Sequence, residues 1–243
     1  MKSILKPTIF CALALTALSL SAADQKDKKA SNKMWDSGSF GIYMNGKRIG
    51  TEKFQIEQRS DFSIATSQIK VEDGNFKADQ TAEMEITPRG ELRSYTWRAT
   101  VPQKEESSVE PKDQLLVEHV VPADQKKMDV PHVLPVSTVI LDDNFFSQRE
   151  LLVWRYLRTG CIFKPSEGLV CGPSHFGILI PRQHVAGEAV MDLVGRDKIT
   201  VKGQEEELNK LKLETDGTTW LLWITDDYKL VKISANNVDV IRD

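Results

Sequence analysis

The chain has 243 residues, 32 of them Lys or Arg and 35 Asp or Glu, for a net charge of −3 with the two signs interspersed. As a whole-chain balance this carries no sign of a nucleic-acid or anionic-membrane binding surface, which needs clustered basic charge. No apolar run approaches the roughly 20 residues of a spanning helix, so an integral membrane protein is not expected.

The first residues speak to compartment. Lys2 and Lys6 precede an apolar run from Ile9 to Leu20, and Ser21-Ala22-Ala23 follow as small residues, the pattern of a secretory signal peptide cut after Ala23. Cys11 sits inside that run rather than at its end, which is the wrong place for a lipid anchor. The expected location is therefore periplasmic or secreted. Residues 24–33 are charged and lack large apolar side chains, so they read as a flexible leader; residues 34–243 then form one β-rich domain. Processing leaves Cys161 and Cys171, which in an oxidising compartment are expected to form one disulfide.

The strongest local signal is a hairpin: Phe40-Gly41-Ile42-Tyr43-Met44, then Asn45-Gly46, then Lys47 to Ile56. Asn-Gly supplies the two positive-φ positions of a type I′ turn. Phe54 and Ile56 alternate with Lys53, Gln55 and Glu57, giving a strand with one buried and one wet face. Ser60-Asp61, Asp73-Gly74-Asn75 and Pro88-Arg89-Gly90 punctuate further strands as in a meander. Ala82, Met84 and Ile86 share one face, and Tyr95 and Trp97 share another. Residues 102–111 are polar and read as a loop or exposed edge before a strand at Leu115 to Val121.

One helix is expected over residues 144–158, capped by Asp142 and Asp143 and ended by Gly160 in a left-handed conformation. Its second half is apolar nearly all round and must be covered. Strands resume at Phe176 to Ile180, Glu188 to Val194, Lys198 to Val201 and Leu211 to Thr215, while residues 204–210 are ambiguous between helix and strand. Trp220 to Ile224 is apolar on both faces and reads as a central strand, before Lys229 to Ile233 and Val238 to Ile241. The fold class is mainly β: a single antiparallel curved sheet or half-barrel with one principal mid-chain helix on its concave side.

No established catalytic motif is present, and no cofactor or metal is expected, since His119, His132, His175 and His184 are scattered. Asp226-Asp227 reads as a turn, and Glu205-Glu206-Glu207 as a solvated face. Trp97, Phe145, Phe146, Trp154, Trp220 and Trp223 are either plain core or the lining of an apolar cavity between sheet and helix.

Gly41 to Glu52, Leu141 to Phe146 and Trp220 to Ile233 together resemble a group of uncharacterised exported bacterial domains whose fold is related to the lipoprotein-localisation factor, a half-barrel with helix closing its open side. That resemblance implies an apolar groove and transient binding of an acyl chain or lipidated protein, and transfers no catalytic residue. The expected function is a periplasmic binding or carrier protein for an apolar ligand such as a lipid. The alternatives are a non-catalytic structural or interaction protein with an envelope partner, and a hydrolase without recognisable motif, for which His175 and His184 are the residues to test.

Overall fold

A computed structural model describes residues 33–243 apart from 75, 114, 123–125, 136, 143, 167 and 216. The signal peptide, Cys11 and nearly all of the leader lie outside the described residues. The described chain runs β1 (Lys33–Met44), β2 (Lys47–Gln58), β3 (Ser63–Asp73), β4 (Phe76–Ile86), β5 (Leu92–Val101), β6 (Glu105–Lys112), β7 (Leu115–Val121), β8 (Met128–His132) and β9 (Val139–Ile140), then the helix α1 (Ser147–Gly160). After it come β10 (Cys161–Lys164), β11 (Gly168–Cys171), β12 (Ser174–Ile180), a 3₁₀ turn at Pro181–Gln183, β13 (Val185–Val201), β14 (Gln204–Thr215), β15 (Thr218–Ile224), β16 (Leu230–Ala235) and β17 (Val238–Arg242).

All strands except β10 and β11 belong to one sheet that does not close, in the order β8-β7-β6-β5-β4-β3-β2-β1-β17-β16-β15-β14-β13-β12-β9. Every pairing in it is antiparallel except that of β9 with β12. Two meanders thus run outward from β1 and β17, which pair from Phe40 opposite Arg242 to Met44 opposite Val238. The β1–β2 turn has Asn45 at φ 50° and Gly46 at φ 78°, the mirror-image turn that Asn-Gly favours because its twist matches paired strands.

Alternation places the core. Phe54 and Ile56 of β2, Ala82 and Met84 of β4, and Tyr95 and Trp97 of β5 are all buried on the inner face. They meet Leu152, Val153 and Tyr156 of α1 and, from the second meander, Met191, Leu211, Leu213 and Ile233 in one apolar cluster. The helix therefore sits against the concave side of the curled sheet. Full burial of a side chain such as Leu152 is worth about 1.5–3 kcal/mol.

Four local expectations are corrected. Residues 105–112 form an interior strand, because β5 and β7 satisfy its backbone on both sides while Ser107 and Val109 point inward. Residues 188–201 are one long strand, with a bulge between Leu193 and Gly195 in place of a break. Gly160 is the last helical residue rather than a left-handed cap; a Cβ there would stand 2.3 Å from Ser174 Oγ and 3.1 Å from the Tyr156 ring, so close approach is what calls for glycine. The helix itself starts at Ser147, and its polar first turn, Ser147 to Glu150, is buried along with Leu151 to Val153, while Arg158 and Thr159 are exposed. Residues 204–210 resolve as strand within β14.

The buried helix start needs an acceptor from elsewhere. Phe146 stands at the cap position without a side-chain acceptor. Glu52 of β2 supplies it: its carboxylate accepts from the backbone N–H of Phe146 at 2.7 Å and of Ser147 at 3.2 Å, and from the Ser147 hydroxyl at 2.7 Å. Ser67 Oγ on β3 donates to the same carboxylate. Asp142, expected as the cap, instead receives the Tyr95 hydroxyl at 3.0 Å and Arg182 at 2.8 Å, while its own N–H donates to Gln148 Oε1 at 2.6 Å. Asp143 lies outside the described residues.

The β10–β11 hairpin follows the helix directly and is bridged by the Cys161–Cys171 disulfide at opposed positions in the ladder. Glu52→Ala is expected to lower unfolding free energy by about 2–4 kcal/mol in denaturant titrations, because it strands buried N–H donors. Replacing both hairpin cysteines by Ser is expected to lower it by about 2–3 kcal/mol, the loop-closure entropy of a short ring, read the same way.

Candidate functional site

The free ends of the sheet are held by side chains rather than by a backbone ladder. Glu118 of β7 is fully buried and accepts from Ser107 Oγ at 2.8 Å, His132 Nε2 at 2.9 Å and His184 Nδ1 at 2.9 Å. His132 ends β8, and His184 follows the 3₁₀ turn beyond β12, so this carboxylate ties one meander to the other. Tyr95, Asp142 and Arg182 make a second tie across the same gap. His175 lies near the start of β12 and His184 follows Ile180 at its end, so β12 separates the two residues named for a hydrolase. Among the described residues no set of three or more His, Cys, Asp or Glu side chains is arranged to hold a metal ion.

A second buried ionic group lies where β1, β17 and α1 meet. Arg242 donates to both oxygens of Asp36, and its Nη2 stands 3.2 Å from Glu150 Oε2. Its guanidinium also lies 5.5 Å from the centroid of Phe40 and 5.1 Å from that of Phe54. Burial pushes Glu150 up to about 9, with the neighbouring Asp36 adding to the rise against the charge of Arg242. For Asp36, burial opposes ionisation, but hydrogen bonds with Arg242 and Glu150 outweigh it and hold the carboxyl at about 2. At neutral pH the group is thus one carboxylate, one carboxylic acid and one guanidinium. Lys229 Nζ approaches the same Asp36 at 3.5 Å and joins this group to the surface.

That surface is a groove of about 480 Å³ where the second half of α1 emerges. Its walls are Met34 and Trp35 of β1, Trp154 and Leu157 of α1, Leu169 of β11, and Tyr228 in the turn before β16. The Trp35 and Trp154 rings are tilted at 59° with centroids 5.6 Å apart. Trp154 Nε1 donates to the Tyr228 carbonyl at 2.8 Å, and Tyr228 sits in the turn with a positive φ of 65°. Trp35 and Tyr228 remain 43% and 40% exposed, so the apolar walls face solvent. Lys33, Arg158 and Lys229 line the same groove, with Asp227 as its acidic member. A larger hollow of about 660 Å³ over β1–β5 is lined by outward polar side chains such as Thr66, Gln68, Thr81 and Arg98. Phe54 and Ala82 border it too, but most of the residues around it are polar, unlike those of most ligand sites.

Of the six aromatic residues singled out in the sequence, Trp154 lines the groove. Phe145, Phe146 and Trp97 are buried in the main core. Trp223 faces the other side of the sheet in a small cluster with Val201, Leu208 and Val231. Trp220 stacks under the Arg149 guanidinium at 4.3 Å and borders a separate cavity of about 250 Å³. Trp35 and Tyr228 were not singled out; each sits beside charged residues at the start of a strand or in a turn, where periodicity gives no signal.

The fold is similar to that of a crystal structure described as a β-barrel-like protein of domain of unknown function DUF1849 from Brucella abortus, with a TM-score of 0.51 and 6% sequence identity over 88% of this chain and 95% of that one. At that identity the likeness speaks for the β-barrel-like fold alone. No protein-family model and no curated protein sequence matches the chain.

The protonated Glu150 makes a signed expectation. Its folded pKa of about 9 lies above the ordinary 4.5, so the native state holds an extra proton between those values. The stability it contributes is complete below 4.5 and is lost as pH rises through about 9. Asp36, held at about 2 against an ordinary 3.8, contributes above 3.8 and fails only as pH falls toward 2. The unfolding free energy from denaturant titrations is expected to decline from pH 6 to pH 9 by about 1–3 kcal/mol in wild type. In Glu150→Gln, which stays neutral, that slope should flatten.

Proposed function

We propose that this protein is an exported carrier that binds an amphipathic lipid, an acyl chain bearing an anionic head, in the groove between Trp35 and Trp154. The observation that carries the reading is the joining of an exposed aromatic and aliphatic trough to the cations Lys33, Arg158 and Lys229. Ligand sites are mostly apolar hollows of about 300–1,000 Å³ with a few placed polar groups, and this groove falls in that range. Each methylene buried there would contribute about 0.8 kcal/mol. The export signal in the sequence and the Cys161–Cys171 disulfide support an oxidising envelope compartment, where such a ligand is at hand.

A second reading, an interaction protein of the envelope, is favoured by β8, which ends the sheet and exposes Met128 and, just beyond it, Val133. An unpaired strand can recruit an extended partner segment.

The carrier reading is tested by titrating delipidated protein with palmitate and following tryptophan emission and thermal stability. Saturable binding is expected, with Trp154→Ala weakening it about tenfold or more, since that change removes one wall and the bond to Tyr228. Wild-type protein that shows no spectral change and no gain in melting temperature with palmitate would sink it.

A further inference from the structure

The hairpin formed by β10 and β11 leaves two large apolar side chains in water, Phe163 at 74% exposure and Ile162 at 61%. Their positions are fixed by the ladder. Cys161 opposes Cys171 and Phe163 opposes Leu169, so the disulfide, Phe163 and Leu169 project from one face, while Ile162 and Val170 project from the other. Leu169 is a wall of the groove. Phe163 lies on the same hairpin face as Leu169, outside the groove, so apolar surface continues from Trp154 through Leu169 out to the hairpin.

The groove on this track is also lined by Lys33, Arg158 and Lys229, against the single carboxylate of Asp227. Arg158 Nη1 donates to the Pro88 carbonyl, and Lys229 Nζ lies 3.5 Å from Asp36 and 3.9 Å from Asp227, so these two charges have neighbours that orient them. In a chain of net charge −3 this is a local concentration of positive charge beside an apolar projection. Aromatic and aliphatic side chains flanked by Lys and Arg are the elements that seat a protein in a bilayer interface, the cations adding attraction to an anionic leaflet. The disulfide holds the hairpin before contact, so little ordering entropy is lost on docking.

We infer that the β10–β11 hairpin docks the protein onto an anionic phospholipid bilayer, with Phe163 and Ile162 entering the interface and the Trp35–Trp154 groove opening toward the lipid it takes up. The inference rests on the carrier reading for the purpose of docking, but the two separate experimentally. Docking is read by flotation of the full protein with vesicles of phosphatidylcholine alone and of an equimolar mixture with phosphatidylglycerol. Groove occupancy is read by binding of monomeric cis-parinaric acid without vesicles.

Wild type is expected to float with the mixed vesicles, less with phosphatidylcholine, and less as salt is raised. The double variant Ile162→Asp, Phe163→Asp changes only exposed positions; it is expected to lose flotation about tenfold or more while binding parinaric acid as wild type does, with an unchanged circular dichroism spectrum. Trp154→Ala is expected to behave in the opposite way. Wild type that does not float, a double variant that floats undiminished, or flotation indifferent to headgroup charge would overturn the docking inference. Flotation through the hairpin with no parinaric acid binding by wild type would leave docking in place and remove the carrier reading.

Discussion

A helix that begins inside a protein brings several backbone N–H groups away from water with no partner within the helix. In this fold the beginning of α1 is its most buried part, and its own cap residue is a phenylalanine. Glu52, contributed by β2 from 95 positions earlier in the chain, closes the account of donors there. Burial pushes the Glu52 carboxyl up, while the hydrogen bonds from Ser67, Ser147 and the two N–H groups draw it back. The helix macrodipole favours a negative charge at this end. Sheet and helix are thus tied by a polar contact that draws on both, a carboxylate from β2 and the N–H groups that open α1.

The same burial dictates the neighbouring chemistry. Arg149, in the first turn of the helix, is covered by the faces of Trp220 and Phe146. Glu150 reaches the Asp36–Arg242 pair and keeps its proton because two anions cannot share so dry a site. With the polar half of α1 turned inward, the half bearing Trp154, Leu157 and Arg158 is the one left at the surface. The groove is made from that remainder.

Much of this was legible in the residues and some was not. The mainly β fold with one mid-chain helix, the Asn45-Gly46 hairpin, the strand at Leu115 to Val121 and the cysteine pair followed from alternation, turn chemistry and redox context, which are local properties. What escaped was the role of carboxylates on buried faces. Glu52 is in phase with Phe54 and Ile56, and Glu118 with Leu116 and Val120, so period-2 alternation placed both inward, yet a charged residue in an apolar register is usually read as surface. Their partners lie far off in sequence, in α1 and beyond β12, and no local pattern reveals a partner at such a distance. The helix boundaries shifted for the same reason, since its cap comes from another element.

The pairing of β1 with β17 has a consequence for how the chain reaches this state. Arg242 contacts Asp36 across 206 positions, and Asp243 contacts Arg48 across 195. Neighbouring hairpins can form as soon as each is made, but the middle of the sheet, and with it the ionic group under α1, has to wait for the C-terminal strand. Such late, distant closure makes for slow folding by the topology rule. During synthesis the first meander is a sheet with an unprotected edge at β1, and that edge, not the finished molecule, is where a chaperone would have the most to do.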